Sequence, residues 1–238
     1  MRQFALSGTD PVVLKLVPAA GAGVVAAWGW HRFMQRLDSA RQAEWGRRWL
    51  NRLDGFNRIW CRRFHRLSGG EITLPLKGPA LVVANHVSGL DPLLMIAASR
   101  RPLRFLIARE EYERRGLHWL FAAIGCIPVK REGSPRAALA AACRALERGE
   151  VVALFPQGRI RLDHEPRVPL KRGIAYLARA SGAPVIAVRI DGVRGAGRTV
   201  SAVLLRSRVR LRHFPPLHLQ EDDMDRFLSR LQALLGTP

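Results

Sequence analysis

The sequence predicts an α/β fold in which a mixed, largely parallel sheet is flanked by helices. Beyond residue 79, short apolar runs alternate with segments of helical period, which is the pattern of strands separated by helices. Polar and charged residues cluster directly after several of these runs, as they do at the carboxyl ends of strands in an open parallel sheet. With 238 residues, the chain can bury one sizeable core.

Strands and helices are predicted in regular alternation. Apolar runs bounded by glycine, proline or charge predict strands near 80–84, 104–108, 127–130, 150–155, 184–190 and 208–213. Segments of helical period predict helices near 92–100, 113–123, 135–148, 172–181 and 222–235. The last helix opens on three acidic residues, which stabilise the positive end of a helix dipole.

Residues 1–69 are predicted to form a membrane-associating helical pair that precedes the sheet. The chain is almost entirely apolar over residues 11–30, but the charge-free part, 16–30, is shorter than the roughly 20 residues that cross a hydrocarbon core. Three interpretations stay open: a shallow or re-entrant anchoring helix, a span over 12–30, and a cleaved signal peptide. Basic residues follow the segment, so a span would leave the rest of the chain in the cytoplasm.

A second N-terminal helix is predicted over residues 40–67. Large apolar side chains recur there every three or four residues and share one face; they are Trp45, Trp49, Leu53, Phe56, Trp60, Phe64 and Leu67. Arginines, Arg58 among them, occupy much of the remaining surface. Such a stripe suits the headgroup boundary of a membrane, or it packs on the following domain. Ser68-Gly69-Gly70 then predicts a boundary between domains 1–69 and 70–238.

The net charge of +20 indicates a polyanionic partner. Arginines are spread along the whole chain, and no zinc-finger spacing, RNP-like run or basic zipper is present. A membrane rich in anionic lipid is therefore favoured over specific nucleic-acid recognition. Cys61, Cys126 and Cys143 form no CxxC pair, which argues against a disulfide framework or a zinc site and predicts structural thiols in a reducing compartment.

The strongest candidate site is the run Asn85-His86-Val87-Ser88-Gly89-Leu90-Asp91. It follows the apolar run 80–84, so His86 and Asp91 are predicted at the carboxyl end of a strand, where Pro92 begins a helix. A histidine oriented by a carboxylate can take a proton from an alcohol and so create a nucleophile. The alternatives are that Asp91 only caps the helix and that His86 is an ordinary loop histidine.

Three later segments share this layout of an apolar strand followed by polar residues: 125–131, 150–159 and 183–188. In order and spacing, the four segments resemble the four sequence blocks of the glycerolipid acyltransferase family, of the 1-acylglycerol-3-phosphate acyltransferase type. The resemblance covers roughly residues 70–215. The third block departs from the family's FPEGTRS, because Gln157 stands at the usual glutamate, Ile160 at the usual arginine, and Arg159 one position early. It is closer to the FPEGRI form of bacterial lysophospholipid acyltransferases.

The resemblance implies transfer of a fatty acyl group from acyl-CoA or acyl-ACP to the hydroxyl of a lysophospholipid, with 1-acylglycerol-3-phosphate expected, in phospholipid biosynthesis. His86 is the expected general base and Asp91 the group that orients it. A backbone N–H near Gly158 is the first candidate donor to the oxyanion. The other expected substrate-binding residues are Arg131, Gln157, Arg159, Arg109 and Lys171. The resemblance implies no metal and no cofactor beyond the thioester, and it places the enzyme at the inner membrane, facing the cytoplasm.

Other functions compete with this one. Gln157 and Ile160 favour an acceptor that is not a phosphatidate precursor, such as an ornithine-lipid or glycolipid intermediate. A catalytically silent, basic lipid-binding protein is the alternative of another class, and binding of nucleic acid through charge alone is the least expected. The glycine-rich segment 192–198 does not open a predicted helix, so it is expected to be a flexible surface loop rather than a phosphate-binding loop.

Overall fold

The computed structural model describes residues 11–130, 134–162, 164–166, 168–219 and 224–236, with side chains from residue 25 onward. Its described strands are β1 (Ala80–Ala84), β2 (Leu103–Ala108), β3 (Ile127–Val129), β4 (Val151–Leu154), β5 (Val185–Asp191) and β6 (Arg210–His213). They form one sheet in the order β3-β2-β4-β1-β5-β6, in which β1 to β5 run parallel and β6 runs antiparallel to β5. The predicted mixed, largely parallel α/β sheet is confirmed.

The described part of the chain contains the helices α1 (Pro11–Ala40), α2 (Arg48–Arg63), α3 (Asp91–Ala97), α4 (Arg109–Tyr112), α5 (His118–Ala123), α6 (Arg136–Glu147), α7 (Gly173–Ser181), α8 (Val200–Leu204) and α9 (Met224–Leu235). The single helix predicted near 113–123 is wrong, because Gly116 adopts a φ of +82° between α4 and α5. The sequence did not predict α8. Among the residues that the structure describes, no helix is both long and apolar enough to cross a membrane.

The central strand β1 is buried along its whole length. Ala80, Val82 and Ala84 belong to the core on one face of the sheet, which α3 covers. Leu81 and Val83 belong to the core on the other face, covered by α6, α7 and α9. A strand covered on both faces needs a continuous apolar run rather than an alternating one. The residues that follow β1 consequently lie at the middle of the sheet's carboxyl edge.

The helical pair α1 and α2 is present, and α2 buries a face other than its aromatic stripe. Its buried residues are largely polar and comprise Leu50, Asn51, Asp54, Gly55, Asn57, Arg58 and Cys61. Of the stripe residues, Trp49, Leu53 and Phe56 are exposed, by 38%, 40% and 45% respectively, and the other four are half-buried: Trp45, Trp60, Phe64 and Leu67. The predicted extent of this helix, 40–67, is also wrong, because Trp45 precedes α2.

One buried arginine organises the polar face of α2. Arg58, 1% exposed, donates hydrogen bonds to Asp54 Oδ2 at 2.7 Å, to Gln42 Oε1 and Ala97 O at 2.8 Å each, and to Ser99 O. The last two acceptors are main-chain carbonyls at the end of α3. These contacts attach the helical pair to α3, the helix whose first turn contains the candidate catalytic aspartate.

The segment after α2 joins the sheet alongside β6. Ser68 N–H donates to Val209 O and Leu211 N–H donates to Ser68 O, at 2.9 Å each. Gly69 has a φ of +106°, and a side chain on it would overlap the carbonyl of Leu211. The chain therefore enters the sheet close to the predicted boundary between 1–69 and 70–238.

The three cysteines are free thiols, as predicted. Cys61 and Cys126 are buried and Cys143 is half-buried. Burial raises the pKa of Cys61 to about 12, against the opposing charge of Arg58, and raises that of Cys126 to about 12. Because the thiolate is the nucleophilic form, these two cysteines are unreactive structural residues.

Candidate active site

The predicted pair of His86 and Asp91 is formed at the carboxyl end of β1. His86 Nδ1 lies 2.8 Å from Asp91 Oδ2, the Asp91 side chain is fully buried, and the His86 side chain is 19% exposed. With Nδ1–H donated to the carboxylate, Nε2 is the unprotonated ring nitrogen. Within the described part of the chain, Nε2 has no hydrogen-bond partner. The imidazole therefore has the orientation and the accessible nitrogen that a general base needs.

Asp91 is held by donors that precede it in the chain. Its Oδ2 accepts the N–H of Val87 at 2.6 Å and that of Ser88 at 2.8 Å, in addition to the His86 ring. Its Oδ1 accepts the Ser88 hydroxyl at 2.7 Å. The carboxylate makes no capping hydrogen bond to α3, so the alternative that Asp91 only caps this helix is wrong. Four donors instead fix a buried anion against the histidine.

An aromatic side chain that the sequence analysis did not single out supports the histidine ring. Phe155 follows β4, the neighbour of β1, and its ring stacks on His86 with centroids 4.0 Å apart and planes inclined by 16°. Phe105 on β2 lies beyond it, at 6.1 Å from the Phe155 centroid. This stack limits rotation of the imidazole away from Asp91. Only the parallel pairing of β1 with β4 reveals that Phe155 lies beside His86.

The main chain of His86 is fixed on both sides by the loop after β4. Gln157 Oε1 accepts the His86 N–H at 3.0 Å, and Arg161 N–H donates to His86 O at 2.7 Å. An amide oxygen makes this bond as a carboxylate oxygen does, so the departure from glutamate at Gln157 preserves it. The Gln157 oxygen, which we expected to contact substrate, is occupied by the protein's own backbone.

Asn85 connects the candidate site to β5. Its Nδ2 donates to Ile190 O at 2.9 Å and its Oδ1 accepts Ile190 N–H at 2.7 Å. The side-chain amide thus reproduces a main-chain pair of the ladder just where β1 ends. This contact explains the asparagine beside His86 as a residue that fixes the start of the turn.

The glycine-rich segment 192–198 is a largely exposed loop, as predicted, and it also holds the candidate site. Gly197 N–H donates to Val87 O at 2.8 Å, and Gly89 N–H donates to Arg198 O at 3.0 Å. Gly89 permits this approach, because a side chain on it would overlap the carbonyl of Thr199. The segment therefore fixes the peptide units whose N–H groups bind Asp91. Long-range contacts of this kind leave no signal in a local pattern.

The structure brings together two of the expected substrate-binding residues, Gly158 and Lys171. A Cβ on Gly158 would lie 2.6 Å from Lys171 Cε and 2.8 Å from its Nζ, so only glycine lets the lysine lie over this turn. Lys171 N–H also donates to Pro156 O at 3.0 Å. The oxyanion donor was expected near Gly158, and the Gly158 N–H itself is not free for this role, because it already donates to Phe155 O at 2.9 Å.

The expected arginines occupy different surroundings. Arg159 is exposed on the turn after β4. Arg109 follows β2 as predicted, but it is exposed and pairs with Glu113 at 3.2 Å. Arg131 lies outside the described residues. Arg161, which we did not single out, is largely buried: its Nη1 contacts Glu165 at 3.4 Å, and its Nε has no partner among the described residues.

Comparison with known proteins identifies the family. A family model described as Acyltransferase matches residues 66–191. A probable 1-acyl-sn-glycerol-3-phosphate acyltransferase of Mycoplasma genitalium is 32% identical over 126 residues, which are 50% of this chain and 46% of that protein. The 1-acyl-sn-glycerol-3-phosphate acyltransferase of Bacillus subtilis is 23% identical over 120 residues, 50% of this chain and 59% of that protein. The chain therefore spans about half the length of the curated relatives that it matches.

A solved structure has the same fold. The crystal structure of the 1-acyl-sn-glycerophosphate (LPA) acyltransferase PlsC from Thermotoga maritima superposes with a TM-score of 0.56 at 19% identity, covering 79% of this chain and 78% of that one. At this identity the likeness establishes the fold alone. The family model, which matches more than half of the chain and includes the His86–Asp91 turn, goes further: this chain belongs to the acyltransferase family.

Proposed function

We propose that the protein is an O-acyltransferase that moves a fatty acyl group from acyl-CoA or acyl-ACP to the hydroxyl of 1-acylglycerol-3-phosphate, in phospholipid synthesis. The observation that carries this proposal is the 2.8 Å contact between His86 Nδ1 and the buried Asp91 carboxylate, in a chain of the acyltransferase family. The names of the curated relatives support the choice of acceptor. No cofactor beyond the thioester is needed for this reaction.

The proposed chemistry is direct attack by the acceptor. His86 Nε2 accepts the hydroxyl proton while the acceptor oxygen attacks the thioester carbonyl carbon. The resulting tetrahedral oxyanion collapses, the carbon–sulfur bond breaks, and the departing thiolate takes the proton from the imidazolium. An ester and a free thiol result, and His86 returns to its starting state without an acyl-enzyme. Asp91 keeps Nδ1–H in place and stabilises the transient imidazolium.

The oxyanion requires a hydrogen-bond donor close to His86. Because the Gly158 N–H is occupied, we assign this role to the next amides of the same turn, those of Arg159 and Ile160. Among the described residues, neither amide has an acceptor. Removal of one such donor commonly costs about 3 kcal/mol of transition-state stabilisation.

The proposed site for the acceptor phosphate is formed by cations around this turn. The Lys171 ammonium lies over Gly158, and Arg159 is exposed beside it. Neither side chain has an acidic partner among the described residues. We also assign Arg131 to this phosphate site. It follows Lys130, an exposed residue directly after β3. Arginine suits bidentate contact with phosphate, and lysine acts as a point charge.

We further propose that residues 1–69 associate with the inner membrane and hold the catalytic domain, 70–238, at its cytoplasmic face. The exposed aromatic side chains of α2 and the excess of arginine over acid in this segment support association with an anionic interface. Trp119 of the catalytic domain lies 5.4 Å from Trp49 between ring centroids and is 59% exposed, which extends the aromatic surface across the domain boundary.

A second candidate acceptor lacks the phosphate. Ile160 stands where the family has arginine, and the neighbouring Arg161 is engaged with Glu165 and Pro166 O. An ornithine-lipid or glycolipid precursor has no phosphate, so it would not need a free arginine at position 160 or 161.

The two candidates are separated by a matched pair of acceptors. Purified full-length protein is supplied with oleoyl-CoA or oleoyl-ACP and either 1-oleoylglycerol-3-phosphate or 1-oleoylglycerol, which differ only in the phosphate. We expect phosphatidic acid to form with a kcat/KM about a hundredfold higher than for the phosphate-free acceptor, since the site's cations are otherwise left unpaired. Faster acylation of 1-oleoylglycerol or of a lyso-ornithine lipid favours the second candidate. Absence of product with every acceptor contradicts the acyltransferase proposal.

A further inference from the structure

A groove between α1 and α2 is lined by three arginines together with apolar and uncharged polar side chains. Arg32 and Arg36 face it from α1, and Arg63 faces it from α2. Its volume is about 670 Å³, within the range of roughly 300–1,000 Å³ that is typical of ligand sites. We propose that this groove binds the headgroup of one anionic glycerophospholipid. The site is separate from the catalytic turn and takes no part in the proposed reaction.

Helix geometry explains why the three arginines line the same groove. Arg32 and Arg36 are four residues apart on α1, and Arg63 lies four residues after Ile59 on α2, so each pair shares one helix face. The helices approach closely, because Gly55 leaves room for the carbonyl of Leu37. The arginines of the two helices thereby line one groove from opposite helices.

The described residues supply no acidic partner for the arginines of the groove. Neighbouring arginines of the helical pair have acidic partners: Arg41 with Glu44 at 2.7 Å, Arg52 with Asp38 at 3.2 Å and Arg62 with Glu71 at 3.7 Å. Arg32, Arg36 and Arg63 have none among the described residues, and no acidic side chain lines the groove. The guanidinium of Arg32 lies 5.0 Å from the Trp28 ring centroid, a cation–π contact that leaves its N–H groups available. Three unpaired arginines form a site for a phosphate-bearing anion.

The apolar surroundings indicate a lipid rather than a free anion, a nucleic acid or an acidic protein. Besides the arginines, Gln35 and Ser39, the groove is lined by the apolar residues Phe33, Ala40 and Ile59, of which Phe33 is 42% exposed. Phe56 and Trp60, which lie next to Ile59 and Arg63 on α2, stack at 6.1 Å and continue the apolar surface outward. A phosphate at the arginines would thus have its acyl chains beside aromatic rings, the arrangement of an interfacial lipid site.

Binding of an anionic lipid in the groove is tested by measuring how much lipid stays bound to the purified full-length protein. The protein, in neutral detergent, is incubated with equal amounts of phosphatidylglycerol and phosphatidylcholine, and native mass spectrometry counts the lipid that remains bound. We expect one phosphatidylglycerol per chain. The variant R36Q/R63Q should lower the ratio of bound phosphatidylglycerol to phosphatidylcholine by about tenfold or more.

A matched variant separates the groove from net charge. R47Q/R48Q removes the same charge from the same helical pair but outside the groove, and it should retain the phosphatidylglycerol. Equal losses in the two variants, or no preference in the unmodified protein, overturn the proposal. Displacement of the lipid by millimolar inorganic phosphate or by an oligonucleotide also overturns it. Unchanged thermal melting verifies that both variants are folded. His86→Ala should retain the lipid, so failure of the acyltransferase proposal is distinguishable from failure of this one.

Discussion

The candidate catalytic turn, residues 85–91, and helix α2 both bury polar side chains, but they do so for different reasons. At the turn, the carboxylate of Asp91 meets four donors, and two loops fix the main chain around it. In α2, Arg58 is buried among carbonyl and carboxylate acceptors of the protein, while large apolar side chains face outward. The first arrangement orients one reactive group, and the second joins two parts of the chain. Buried polarity alone is therefore a poor guide to catalysis.

The largest expected effect on stability concerns Arg58. Arg58→Ala leaves the carboxylate of Asp54 buried without its partner, so we expect a loss of about 3–5 kcal/mol in the free energy of unfolding. Arg52→Ala, which breaks an exposed ion pair of the same helix, should lose only about 0–1 kcal/mol. Urea denaturation of the full-length protein measures both values. Similar losses in the two variants would mean that the α2–α3 contact does not depend on the buried arginine.

A smaller loss of stability is expected for Gly197→Ala in segment 192–198, the loop that fixes the turn from His86 to Asp91. Gly197 has a φ of +84° and Gly116 a φ of +82°, and a Cβ on either meets no atom closer than 3.6 Å. Alanine at each position should cost about 1–2 kcal/mol in stability, because the left-handed conformation disfavours a side chain. Only Gly197→Ala disturbs the bond to Val87 O, so it alone should lower kcat, by about tenfold, with KM unchanged.

The kcat and KM of Gly197→Ala and Gly116→Ala are compared by steady-state kinetics, at a temperature where both variants are folded. An equal fall in kcat for Gly116→Ala, or a change confined to KM, would contradict a positioning role for segment 192–198.

The smallest expected change in stability concerns the outward face of α2. Trp49→Ser and Phe56→Ser should each cost only about 1 kcal/mol in the free energy of unfolding, because these side chains are partly exposed and each loses one ring contact, with Trp119 or Trp60. Leu50→Ser, a buried neighbour on the same helix, should cost about 2–4 kcal/mol. The two exposed substitutions should instead weaken flotation with anionic vesicles. Strong destabilisation by Trp49→Ser without loss of vesicle binding would show that the aromatic face packs on protein.

The sheet and the central pair of the candidate site could be predicted from sequence because their signals are local. The β1 run is continuous and apolar, and the strand-to-helix change after it places His86 and Asp91 together. The roles of Phe155 and Asn85 could not be predicted, because each depends on which strand lies beside β1. The orientation of α2 stayed open in the sequence, because an apolar stripe on a helix can face either a membrane or the protein's own core.

The central claim is that the Nε2 of His86 removes the proton from the acceptor hydroxyl. It is tested most directly by the rate of phosphatidic acid formation in His86→Ala, compared with the original protein and with His118→Ala, which removes an exposed imidazole away from the turn. We predict that His86→Ala loses a factor of about 10³ or more in kcat, with unchanged thermal melting, while His118→Ala stays within about twofold. A folded His86→Ala variant that transfers acyl groups at nearly the original rate would contradict the account.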